Sequence, residues 1–122
     1  MEKYYYHITD PKNVKNIIKE GLIANEDGDI FLFENKSIGT PIGEGKMKII
    51  CVADHIARNQ VFLVKYAMFE ISADGIEGDL IKDNVCEITA ELQWIVKQQR
   101  IAPEYIKPFG LFKAAKPKFK KI

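Results

Sequence analysis

This chain has little from which to build a disulfide framework, a metal centre or a membrane span. Cysteine occurs only at Cys51 and Cys86, with no CxxC pair and no nearby histidine pair. Both thiols lie in apolar runs, so they are expected as reduced core residues. The only histidines are His7 and His55, and neither has a second His, Cys or carboxylate at ligand spacing, so no metal is expected. An excess of one charge is also lacking: eighteen basic against seventeen acidic residues leave a net charge of +1. That balance gives no global pull toward nucleic acid or membrane, and any polyanion must be met locally. The longest apolar run, Ile49–Ala53, is far shorter than the ~20 residues that a bilayer span needs. Met1–Tyr6 turns polar at His7 before a signal-peptide core develops. The expectation is a cytoplasmic protein with no membrane partner.

What remains is ordinary for one globular domain. The 122 residues fit one unit, and 47% hydrophobic residues supply a core without staples. Tyr4–Thr9 is aromatic and β-branched and reads as a strand, with Tyr4, Tyr6 and Ile8 on one face and Tyr5, His7 and Thr9 on the other. Asp10 is placed to cap a helix, and Pro11 suits its first position. Val14, Ile17 and Ile18 then form an apolar stripe at helical spacing that Gly21 stops. After the polar turn Asn25–Asp29, Ile30–Phe33 reads as a short buried strand.

Ser37–Lys46 holds Gly39, Pro41, Gly43 and Gly45 and reads as a mobile loop. Lys46–Gln60 leans toward helix, but Ile49–Val52 fits a strand equally well. Val61–Ile71 favours a strand with Phe62, Val64, Tyr66, Met68 and Glu70 on one face. Asp74–Asn84 is turn-rich, Ala90–Val96 is the last strong strand, and Ile101–Ile106 is an extended edge or short turn. The domain is bounded at 1–112, with 113–122 a frayed basic tail whose lysines serve solubility.

His7-Ile8-Thr9, followed by Ile17 and Gly21-Leu22, resembles the "YH-x-T…I-x-x-x-GL" opening of the ADP-ribosyltransferase superfamily. The likeness is to its compact bacterial or phage branches that target DNA or RNA, related in fold to RNA 2′-phosphotransferases. Ile30-Phe31-Leu32-Phe33 matches their second, aromatic-bearing strand. Trp94-Ile95-Val96 and Ile101-Ala102-Pro103-Glu104-Tyr105-Ile106 match their closing "V-x-x-x-x-I-x-P-E-Y-I" segment.

The resemblance implies an α+β fold of split antiparallel β-sheets with a few flanking helices, and NAD as substrate. It also implies that His7 hydrogen-bonds the nicotinamide-side ribose, assisted by Thr9, with Tyr5 lining the same cleft. Phe31 would stack on the nicotinamide ring, and Arg58 could reach a phosphate. An acid on the last strand would stabilise the ribosyl cation as nicotinamide leaves. Gln93 stands where that Glu is expected, and Glu91 lies two residues earlier, about 7 Å along the strand on the same face. Glutamine can hydrogen-bond a ribose hydroxyl but cannot neutralise a cation.

Three functions follow from this resemblance. The first is a mono-ADP-ribosyltransferase acting on a nucleic acid, protein or small acceptor. The second is a catalytically silent module for NAD or an NAD-derived nucleotide, and the third an RNA 2′-phosphotransferase-like enzyme. The last relies on several arginines and histidines about the phosphates, against only Arg58 and Arg100 here.

Overall fold

Strand β1, Tyr4–Thr9, buries Tyr5 on one face and Ile8 on the other. The computed structural model describes residues 3–34, 36–59, 63–82, 93–114 and 118–120. Asp10 Oδ1 accepts the Lys12 amide at 3.0 Å and starts a 3₁₀ turn, Pro11–Asn13, ahead of helix α1, Val14–Glu20. Gly21 ends α1 at φ 87°, and a Cβ there would strike the Ile101 carbonyl. Only glycine permits both the conformation and the approach. Strands β2, Leu22–Ile23, and β3, Asp29–Leu32, follow.

The next segment departs from expectation. The supposed loop is strand β4, Ser37–Gly43, which turns through Glu44-Gly45 into β5, Lys46–Cys51. Gly43 and Gly45 adopt positive φ at this turn, so the glycines mark a hairpin tip and not a loop. The open choice over Lys46–Gln60 divides at Cys51: strand before it, then helix α2, Val52–Asn59. Cys51 itself is exposed, not a core thiol; Cys86 lies outside the described residues.

Strand β6, Lys65–Ser72, overlaps the expected strand 61–71, whose residues 61–62 lie outside the described set, runs one residue past it and leads to a 3₁₀ turn, Ala73–Gly75. Strand β7, Leu80–Lys82, interrupts the turn-rich stretch. Strand β8 spans Trp94–Lys97, and β9 is Arg100–Ile101. Residues 90–92 of the expected last strand lie outside the described set. Pro103–Tyr105 is a 3₁₀ turn, and Ile106–Lys113 forms an eight-residue strand, β10, where no long strand was expected. The supposed tail carries β11, Lys118–Lys120, paired with β5.

The result is a mixed α/β fold of mostly antiparallel open sheets with two short helices. The central sheet is ordered β1-β6-β10, the second β3-β8-β7, and the third β11-β5-β4, with β2 and β9 forming a small ladder. One core lies on the Tyr5 side of the central sheet and gathers Ile17, Leu32, Phe69, Ile71, Val96 and Ile101. Ile8, Phe33, Val52, Ile56, Tyr66 and Met68 form the other core, beneath α2. Phe33, Leu32, Phe69, Ile71 and Ile101 are at most 1% exposed. Each such side chain contributes on the order of 1.5–3 kcal/mol of apolar transfer. Among the described residues no helix is long and apolar enough to cross a membrane.

Candidate functional site

The candidate site lies where the central and second sheets meet. The Tyr6 amide donates to the Phe33 carbonyl at 2.7 Å, and the Phe33 amide returns the bond to Tyr6 at 2.9 Å. This single bridge sets the edge of β1 against the end of β3. One residue along β1, His7 Nδ1–H donates to the Phe31 carbonyl at 2.7 Å.

Because that carbonyl can only accept, the proton sits on Nδ1 and a neutral His7 keeps a lone pair on Nε2. Desolvation holds the His7 pKa below its ordinary value, outweighing the Phe31 bond, which acts the other way. Nε2 makes no hydrogen bond to a described residue. His7 therefore presents a neutral hydrogen-bond acceptor from a half-buried position.

Gln93 approaches the same junction. It immediately precedes Trp94, which pairs with Leu32 in the β3–β8 register. At 4% exposure it is the only polar or charged side chain among the described residues in the fully buried class, and it is engaged by a partner. A neutral amide suits that depth, where a carboxylate would need compensation for lost hydration. Glu91 lies outside the described residues.

The remaining expected site residues are dispersed. Tyr5 is 5% exposed and packs in the core with Ile17 and Leu32. It is a core residue and not a cleft wall, because its side chain packs among Ile17 of α1 and Leu32 of β3. Thr9 Oγ1 accepts from Asn13 Nδ2 at 2.8 Å, bracing the entry to α1. Phe31 offers His7 its carbonyl. Its ring falls on the sheet face opposite Ile30 and Leu32, in register with Ile95 and Ile81.

Arg58 donates from one guanidinium nitrogen to the Ala114 carbonyl at 3.1 Å and so ties α2 to the end of β10. Arg100 Nε donates to the Glu20 carbonyl at 2.6 Å, at the C-terminal end of α1. The main-chain bond to Ala114 uses one guanidinium nitrogen of Arg58. His55 is half-buried on α2 and engaged.

Two features escaped the sequence reading. A groove of about 340 Å³ opens beside the start of β1, lined by Tyr4, Glu70, Ser72, Asp74, Glu104 and Lys107 among others. It contains none of the expected site residues, and its only sequence signal is the polar alternation of Glu70 and Ser72 on β6. Beneath α2, Tyr66 donates its hydroxyl to Asp54 Oδ1 at 2.5 Å. Burial first, and the Asp54 carboxylate second, push the Tyr66 phenol far above its usual range, so it is a permanent donor. Among the described residues no group of three or more His, Cys, Asp or Glu could hold a metal ion.

No family model, curated protein or solved structure matches this chain. Its function must be argued from the junction itself.

Proposed function

We propose that this chain is an NAD-binding domain of the ADP-ribosyltransferase type that moves ADP-ribose onto a macromolecular or small acceptor. The observation that carries the proposal is the state of His7: neutral, with Nδ1–H committed to the Phe31 carbonyl and Nε2 left as an acceptor. A ribose of NAD offers hydroxyl donors to such an acceptor. A charged imidazolium would offer none and would repel the positive nicotinamide ring. The junction of two antiparallel sheets, β1-β6-β10 and β3-β8-β7, supports the split-sheet arrangement that the resemblance implies.

In this reading the bond between the ribosyl carbon and nicotinamide breaks with its electron pair leaving on nicotinamide. The remaining ribosyl cation needs a negative charge beside it, and Glu91 is the candidate. Incubation of the pure protein with NAD, followed by chromatography for free nicotinamide, tests the proposal. Release is expected. Glu91→Gln is expected to slow it by about 100-fold, the scale for one preorganised electrostatic group.

The second reading, a silent nucleotide binder, is favoured by the burial of neutral Gln93. It predicts that NAD binds while no nicotinamide is released. The phosphotransferase reading draws least support, since Arg58 and Arg100 both bond main-chain carbonyls.

A further inference from the structure

The face of the central sheet opposite Tyr5 carries a row of aromatic rings, and one of them is placed by an irregularity in the backbone. Tyr6 of β1 and Lys107 of β10 flank Glu70 of β6 in register. Past Pro108 the β10 register shifts, which leaves Phe109 without a partner on β6. Such a bulge re-aims the side chain it carries. The Phe109 ring meets the Tyr6 ring edge to face, with centroids 5.9 Å apart and planes at 85°.

Two rings at right angles form a corner, and Lys36 fills it. Its Nζ lies 4.4 Å from the Phe109 centroid and 5.2 Å from that of Tyr6, both within the ~6 Å reach of a cation–π contact. Lys36 comes from just before β4, where its carbonyl accepts the Val52 amide at 3.0 Å. It belongs to neither strand that supplies the rings, so the corner is built without it and holds its ammonium as an occupant.

That occupant is open to replacement. Lys36 is exposed and Phe109 is 41% exposed. A primary ammonium is strongly hydrated, whereas a quaternary one loses little hydration on meeting an aromatic face. The groove of about 340 Å³ begins beside this corner: Glu70 lines it together with Asp74 and Glu104, and Tyr6 is the cross-strand neighbour of Glu70. Among the described residues Glu70 makes no ion pair, even with Lys107. Three carboxylates against Lys107 in the lining favour a cationic ligand over an anionic one.

We infer that the Tyr6–Phe109 corner, with Glu70 and the adjoining groove, binds a quaternary ammonium group, and that Lys36 occupies the corner until such a ligand displaces it. The inference is independent of the NAD reading. Tyr6 and His7 lie on opposite faces of β1, and the test contains no NAD.

Choline chloride is titrated into the full chain against a sodium chloride blank of equal ionic strength, and the Tyr6, Phe109 and Lys36 side chains are followed by NMR. Saturable shifts are expected, with a Kd on the order of 1 mM for two ring contacts. The Lys36 signals should move to those of a solvated lysine. Lys36→Met keeps the side-chain length and removes the competing charge, so choline should bind about 10-fold tighter if Lys36 fills the corner about 90% of the time. Phe109→Ala and Tyr6→Leu should each weaken binding about 10-fold, while Tyr6→Phe retains it. Glu70→Gln should weaken it about 3-fold.

A peptide carrying one trimethyl-lysine, titrated beside choline, separates the sources of the group. Tighter binding of the peptide assigns a modified protein, and tighter binding of choline a free small molecule. Absence of saturation by either ligand in both the wild type and Lys36→Met would overturn the inference. So would equal shifts with sodium, or a folded Phe109→Ala variant that binds as the wild type does.

Discussion

The two-sheet body and the basic β11-β5-β4 sheet are assembled in different ways. In the body, side-chain burial decides position: Tyr5 turns toward one core and Ile8 toward the other, and Phe33, Phe69 and Ile71 are almost wholly enclosed. The basic sheet is defined by backbone pairing between a glycine-tipped hairpin and a strand near the C-terminal end. Its principal packing outside itself is on α2, which follows β5 directly. Position in the body is thus tied to a core that tolerates little change. In the basic sheet it is tied to register, on strands whose sequence carries Lys46, Lys48, Lys118 and Lys120. The difference lies in what sets position: side-chain burial in the body, backbone register in the basic sheet.

The largest effect expected from breaking this contrast lies in the body. Phe69→Ala should cost about 3–5 kcal/mol, the usual range for removing a fully buried phenylalanine. Urea denaturation with an unchanged m-value would establish it. A cost below about 1 kcal/mol would mean that the central sheet is not held by its core.

The next effect concerns pH. The folded-state pKa of His7 is lowered from an ordinary value of 6.5 by desolvation, so the unfolded chain binds the proton more readily. The stability tied to neutral His7 is therefore complete above about pH 6.5 and is lost as pH falls below it. Thermal melts of the wild type and of His7→Asn between pH 7.5 and 5 should converge toward the acid end. Parallel curves would contradict the assignment.

The smallest effect belongs to the hairpin. Gly45 has φ 70° with open space around a built Cβ, so Gly45→Ala should cost about 1 kcal/mol through the backbone alone. Hydrogen exchange should locate the loss in β4 and β5, with β6 protected as before. A loss spread evenly through β6 would show that the basic sheet and the body unfold as one unit.

How far the sequence foretold this molecule follows the same division. Strand β1, α1 and β3 were legible because Tyr4–Thr9 alternates, Asp10-Pro11 opens a helical turn, and Ile30–Leu32 is apolar. Each signal is local. Strands β4 and β11 were not legible, because Gly39, Pro41 and Gly43 carry loop propensities and the lysines of 113–122 resemble a solvated tail. Only their pairing with β5 makes them strands, β4 through the adjacent hairpin and β11 across some seventy residues, a separation that leaves no periodic mark.

Strand β10 was hidden by Pro108 and Gly110, which the fold accommodates at a register shift. At the candidate site, the placement of His7 on β1 was readable from alternation. Its bond to a main-chain carbonyl was not, since no side-chain pattern encodes which carbonyl lies opposite. The bond of Arg58 to the Ala114 carbonyl was unreadable for the same reason.

The central claim is that neutral His7 offers Nε2 to a bound nucleotide, and nitrogen-15 NMR of the imidazole during an NAD titration tests it most directly. Before NAD is added, the protein should show the Nδ1–H tautomer with a pKa below 6.5. As NAD saturates, the Nε2 resonance should move in the direction of an accepted hydrogen bond while Nδ1 stays in place. A pKa above 6.5, or an Nε2 resonance that does not shift under saturating NAD, would contradict the account.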